Sequence, residues 1–202
     1  MNAMNGIDLR PIRTETVDVL VIGAGAAGVA AAVTAARAEL KVLVVERYGF
    51  CGGGAVAGLS GTICGIYEAS EDPSAAPRKA VFGFLDVFID AMERRGGLAP
   101  PVRYGKTFTR VHDPLVWRET ADSLLEEAGV RIVFHAVAIR ALTDGGERVE
   151  GAVLWTKEGL LEVRALITID ASGDADLGTM AGLPVSVGGD GRVQNPTMIF
   201  RL

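Results

Sequence analysis

Residues 17–36 read VDVLVIGAGAAGVAAAVTAA, a β-branched run that meets glycine at 23, 25 and 28 and continues as an alanine-rich stretch. By hydropathy alone this could pass for a membrane span. Asp18 near its start and the three glycines at fixed offsets instead predict a buried strand over Val17–Ile22 turning into a buried helix over Ala26–Ala38. Lys41–Val45 is a second short valine-rich run, ending in Glu46. Strand, glycine turn, helix and strand within about thirty residues form a βαβ unit, which requires parallel strands.

The glycines have separate physical tasks. Gly23 allows the tight turn, Gly25 lets backbone approach a pyrophosphate and Gly28 allows close helix–strand packing, with Ala26 and Ala27 between them at the helix N-terminus. Alone such a pattern is weak, because glycine and alanine are common. Here a strand precedes it, a helix and a second strand follow, and an acidic residue closes that second strand. A carboxylate at Glu46 can accept both hydroxyls of an adenosine ribose and would repel a 2′-phosphate. Arg47 either sits over the adenine or is simply solvated.

Composition bounds the alternatives. The 202 residues are 49% hydrophobic, enough for one sizeable core, and carry 20 Lys and Arg against 25 Asp and Glu, a net charge of −5. That balance argues against a nucleic-acid surface. Two cysteines, Cys51 and Cys64, and two histidines, His112 and His135, do not match the spacing of a structural zinc site, so no metal is expected. The leader MNAMNGIDLRPIR has no apolar core of a secretory signal, which leads us to expect a cytoplasmic protein with reduced thiols and no membrane segment.

Further along, 68–79 is a loop by composition and 81–95 is an amphipathic helix with Phe84, Phe88 and Met92 on one side. GLAPPVRYGKTFTR reads as irregular; its Arg103, Tyr104 and Lys106 could line a substrate path, although a polar surface loop is the simpler account. Asp113-Pro114 marks an N-cap and first helical turn, and Gly129 supplies the closing cap. A third short strand follows at Val130–Phe134. Short strands over 136–142, 149–155 and 160–164 predict a three-stranded antiparallel meander. Ala165–Asp170 then returns as a buried strand into ASGDAD, and a strand is expected again at 197–202.

DVLVIGAGAAGVAAAVTAARAELKVLVVER followed by YGFCGGG resembles the amino-terminal part of FAD-dependent oxidoreductases of the glutathione-reductase-like class with two dinucleotide-binding domains. The resemblance runs over residues 15–202 and extends to ITIDASGD, which is similar to the family's I-D-A-T-G-D segment with serine for threonine. It implies that Gly52, Gly53 and Gly54 make room for the phosphate–ribityl arm. It further implies that Ala171, Ser172, Gly173 and Asp174 touch the cofactor, and that the backbone of Val137 meets the adenine. Cys51, at the front of the glycine loop, would lie near the cofactor as a reactive or tethering thiol, or else be a small buried hydrophobe. His112 and His135 read as structural.

The expected architecture is therefore α/β: a Rossmann-like parallel sheet with flanking helices and an antiparallel meander, with most of a substrate domain absent from the chain. The expected organisation is a disordered leader over 1–14, an FAD-binding domain over 15–180 and the start of a substrate segment over 181–202. The expected function is hydride transfer between an unidentified small molecule and flavin, with a partner chain or a homo-oligomer completing the site. No catalytic residue is assigned. A NAD-binding dehydrogenase module and a non-catalytic flavin-binding subunit are the competing readings.

Overall fold

In the computed structural model, which describes residues 10–145 and 148–200, the opening run is strand β1 (Arg13–Ile22), followed by helix α1 (Ala26–Arg37) and strand β2 (Val42–Glu46). β1 and β2 pair in parallel, Val19 opposite Val42 through Ile22 opposite Val45. All five residues of β2 are buried. Its alternate side chains serve opposite faces, with Val42 and Val44 in one core cluster and Leu43 and Val45 in the other. Covered on both sides, residues 42–45 have to be apolar at every position, which is why they read as a valine-rich run before the buried Glu46.

Two helices join α1 on the first face. α2 (Phe84–Arg94) begins after Gly83 and brings Phe88, Ala91 and Met92 inward. α3 (Pro114–Glu127) starts at the Asp113 cap predicted from sequence, whose Oδ1 accepts the amides of Leu115 at 2.7 Å and Val116 at 3.4 Å. Trp117, Ala121, Leu124 and Leu125 of α3 pack into the same cluster as Val29, Ala32 and Val33 of α1. Between α2 and α3, the segment read as irregular is a hairpin: β4 (Val102–Tyr104) and β5 (Thr107–Val111) pair antiparallel, with β3 (Thr62–Ile63) against β5. The hairpin escapes detection because its strands are short and carry no clean alternation of polar and apolar residues.

β6 (Arg131–Phe134) adds to β2 in parallel. β7 (Val137–Thr143) and β8 (Val149–Thr156) then form an antiparallel pair. The last strand departs from the sequence reading. The third meander strand and the returning strand are one element, β9 (Gly159–Asp170). Its first half pairs antiparallel with β8, while its whole length runs parallel to β1, from Arg13 opposite Leu161 to Ile22 opposite Asp170. One six-stranded sheet results, in the order β6-β2-β1-β9-β8-β7. The second face is covered by the meander, where Ala152 and Leu154 meet Leu20, Ile22, Leu43 and Val45.

The β8 pairing ends at Gly151 opposite Arg164. Beyond that point, among the described residues, β9 has a strand neighbour only on the β1 side, and Leu166 and Ile167 are exposed. The short helix α4 (Asp176–Met180) follows.

Of the leader expected over 1–14, residues 1–9 lie outside the described residues, while Arg13 and Thr14 already belong to β1. Of the strand expected over 197–202, residues 197–200 carry no strand pairing and 201–202 lie outside the described residues.

Candidate functional site

The three residues between β1 and α1 are fixed by hydrogen bonding and by lack of space. The Gly23 amide donates to Val45 O at 2.8 Å, and Gly23 has φ +100. A Cβ on Gly23 would stand 2.4 Å from Ala171 O, and one on Gly28 would stand 1.8 Å from Gly23 O. The protein's own packing therefore excludes side chains at both positions. Gly25 differs: a Cβ there would find only Gly53 Cα, at 3.8 Å. Its bare backbone faces open space at the start of α1, whose first turn carries no acidic residue to occupy the free amides.

That open space is a groove of about 510 Å³. Its lining brings together Gly25, Ala26 and Ala27 from the glycine turn, Glu46 and Arg47 from the end of β2, Gly53 and Gly54 from the glycine loop, and Ala171–Asp174. A narrower recess of about 70 Å³ continues from the Glu46 end between Arg47, Val137 and Ser172. The predicted residues from four separate stretches of chain thus converge on one cleft at the carboxyl ends of parallel strands. This is where the topology of an open α/β sheet leaves a crevice.

Glu46 is 5% exposed, and each of its carboxylate oxygens accepts one backbone amide. Oε2 accepts the Ala24 amide at 2.7 Å and Oε1 accepts the Tyr48 amide at 2.9 Å. A carboxylate has about four lone-pair directions, so two remain for hydroxyl groups in the groove. Arg47 is exposed, with its guanidinium 5.0 Å from the centre of the Tyr48 ring, which stacks on Phe50 at 5.2 Å.

Two expected site residues are placed elsewhere. Cys51 is wholly buried in the core under α3, and its side chain does not reach the groove. Burial first, then the neighbouring Asp122 carboxylate and the charge of Glu46, push its thiol far above the ordinary cysteine range. It behaves as a small core residue of the cluster that also holds Ala24, Trp117 and Ala121. Gly52 is also outside the groove. A Cβ on it would collide with Val56 Cγ2 at 2.2 Å, so its smallness serves the loop's own packing against Val56 and Trp117. Gly53 is pressed against Gly25, 2.9 Å from a Cβ position to Cα, whereas Gly54 has nothing within 4 Å and opens to the cleft.

The hairpin residues weighed as a substrate path are engaged elsewhere. Lys106 pairs with Glu71 at 2.6 Å, Arg103 lies 5.5 Å from the Phe108 ring and donates to Ser70 O, and Tyr104 points to solvent. His135, with φ +53, donates its amide to Tyr48 O. His112 is buried beside Trp117, ring centres 4.7 Å apart.

Asp170 lies within the ITIDASGD segment, where the sequence gives it no role of its own. Its Oδ1 accepts the Ser172 amide at 3.0 Å and the Ser172 hydroxyl at 2.6 Å, and its Oδ2 accepts the Gly178 amide at 2.9 Å. Partial burial opposes the charge, but the Ser172 hydroxyl and the amides of Gly178, Ser172 and Leu177 outweigh it and hold the carboxyl below its ordinary range. The available signal was an aspartate followed two residues later by serine, a local capping pattern.

An apolar cavity of about 310 Å³ adjoins the groove at Ala26, lined by Val29, Phe82, Phe84, Phe88 and Trp117 among others. Among the described residues no group of three His, Cys, Asp or Glu side chains could hold a metal ion. No helix among them is long and apolar enough to cross a membrane.

A family model described as FAD dependent oxidoreductase matches residues 18–202. The chain is 36% identical over 174 residues to digeranylgeranylglycerophospholipid reductase 1 of Methanopyrus kandleri, aligning 82% of this chain with 42% of that protein. It is 34% identical over 176 residues to reductase 2 of the same organism, aligning 84% with 41%. It thus spans about two fifths of the length of these curated relatives. Its fold is similar to the crystal structure of a geranylgeranyl bacteriochlorophyll reductase-like protein from Thermoplasma acidophilum, with a TM-score of 0.61 at 24% identity, covering 84% of this chain and 43% of that one.

Proposed function

The chain belongs to the FAD-dependent oxidoreductase family, and from that premise we propose that it is the FAD-binding part of an enzyme moving a hydride between a small-molecule substrate and flavin N5. The observation that carries this reading is the convergence of Gly25, Glu46, Gly54 and Ala171–Asp174 on one cleft sized for an extended nucleotide cofactor. The residues present fit the group: bare backbone at the first turn of α1, a carboxylate with spare acceptor positions at the end of β2, and a wall at Gly54 where a side chain would intrude.

In this arrangement the free amides at the start of α1 hold the pyrophosphate, and Gly25 lets it approach the backbone. Glu46 accepts the ribose hydroxyls, and the recess beside Val137 and Arg47 takes the adenine. Gly53 and Gly54 flank the phosphate–ribityl arm, consistent with a glutathione-reductase-like arrangement. When bound, the flavin supplies the electron-pair chemistry, and the protein supplies orientation and exclusion of water.

The names of the relatives and the apolar cavity beside Ala26 support a substrate with a large hydrocarbon part. The uncovered edge of β9 over Leu166–Asp170 supports completion of the sheet by further polypeptide, because exposed apolar strand edges are aggregation hazards unless paired.

The test is a visible absorption spectrum of the purified full-length protein before and after acid precipitation, with mass spectrometry of the supernatant. Yellow supernatant containing FAD is the expected result. A colourless protein that added FAD cannot reconstitute would overturn the reading.

A further inference from the structure

We infer that Asp170 is a positioning residue for the cofactor groove, holding the Ala171–Asp174 wall at its working distance from Gly25 without touching the cofactor itself. This rests on the FAD reading above and names a residue to which that reading gives no role.

The geometry is a closed set of hydrogen bonds around one carboxylate. Asp170 is the last residue of β9, fixed through its pairing with Ile22. From that anchor its two oxygens bind the amide and hydroxyl of Ser172 on one side and the Gly178 amide of α4 on the other. The Ser172 hydroxyl donates to Asp170 and accepts the Asp176 amide at 3.0 Å, so a single acid clamps both ends of the segment 172–178. Charge-assisted bonds of this kind are shorter and stronger than neutral ones.

The clamp matters to the groove because of what the wall touches. Ala171 donates its amide to Ile22 O at 2.8 Å, and its carbonyl oxygen stands 2.4 Å from where a Gly23 Cβ would be. The wall therefore lies directly on the phosphate-binding turn. Any movement of Ser172 changes the groove and the recess together, since Ser172 lines both. Asp170 itself is absent from the lining of either; it lines the adjoining hollow beside Gly178 and Leu183, and its oxygens are taken up by Ser172 and Gly178. A free carboxylate facing a pyrophosphate would repel it, whereas one surrounded by amides and a hydroxyl is a structural anion.

The experiment compares wild type, Asp170→Asn and Ser172→Ala in the full-length protein, stripped of cofactor. FAD is titrated in while flavin fluorescence and the visible band shape are followed, and the melting temperature is recorded without FAD. Asparagine keeps the size and one acceptor oxygen but turns an NH₂ toward either Ser172 or Gly178. It should weaken FAD binding at least tenfold and alter the bound-flavin spectrum, with a much smaller change in the cofactor-free melting temperature. Ser172→Ala should shift affinity in the same direction by a smaller factor, which keeps the inference testable should Asp170→Asn not fold. Wild-type affinity and spectrum in Asp170→Asn would overturn the inference while leaving the cofactor reading intact. A loss of melting temperature without a change in affinity would overturn it too. Failure of the wild type itself to take up FAD would instead overturn the cofactor reading, and this inference with it.

Discussion

Glu46 at the end of β2 accepts the backbone amide of Ala24 at 2.7 Å, tying the second strand to the glycine turn that follows the first. The acid that the sequence assigns to a ligand is thus also a structural member of the turn. It braces that turn while lining the cleft with its remaining acceptor positions.

Replacing Glu46 by alanine should therefore do two things at once. It removes the acceptors of two amides, and an orphaned buried donor such as that of Ala24 costs about 1–3 kcal/mol. The cofactor-free protein should melt several degrees lower, and FAD affinity should fall further than that loss of stability explains. Thermal unfolding with and without FAD separates the two effects.

Gly28 and Gly54 make a matched pair. A methyl group on Gly28 would stand 1.8 Å from Gly23 O, so Gly28→Ala should disrupt the turn and reduce the yield of folded protein. Gly54→Ala meets nothing within 4 Å and should fold with an unchanged melting temperature. Its FAD affinity should drop if the phosphate–ribityl arm lies along Gly54. Circular dichroism and FAD titration of both variants read these outcomes.

Thiol chemistry distinguishes the two cysteines. Cys51 is buried and its thiol is held neutral, while Cys64 is exposed, with its sulfur 3.4 Å from the Thr109 hydroxyl. An aromatic disulfide reagent should modify one thiol in the native protein and two after denaturation. Rapid native labelling of Cys51, identified by peptide mass, would contradict its placement. The same placement predicts that FAD leaves the protein on acid precipitation, with no adduct on Cys51.

Acid sensitivity should report on Asp170. Its carboxyl titrates lower in the folded protein than the unfolded value of about 4. The ionised group therefore adds stability above about pH 4, and this contribution is lost as the pH falls through the lower folded value. Denaturant midpoints measured from neutral pH downward should fall more steeply in wild type than in Asp170→Asn over that acid window. Parallel curves would contradict the assignment.

The sequence by itself determined the βαβ unit, the turn glycines Gly23, Gly25 and Gly28, the acid Glu46, the Asp113 cap and the ASGD turn. Each is a local requirement, written in residues close together in the chain: a period of apolar residues, a tight turn, a side chain that satisfies the nearest amides. Tertiary structure alone decided which glycine faces the cleft and which faces protein. Gly52 and Gly25 look alike in sequence, yet one is crowded by Val56 and the other opens on the groove. It likewise sent Cys51 into the core, fused two expected strands into β9 because β1 and β8 flank the same run, and closed the Asp170 clamp on Gly178. These outcomes depend on neighbours brought from elsewhere in the chain, and only the assembled packing fixes which atoms compete for the same space.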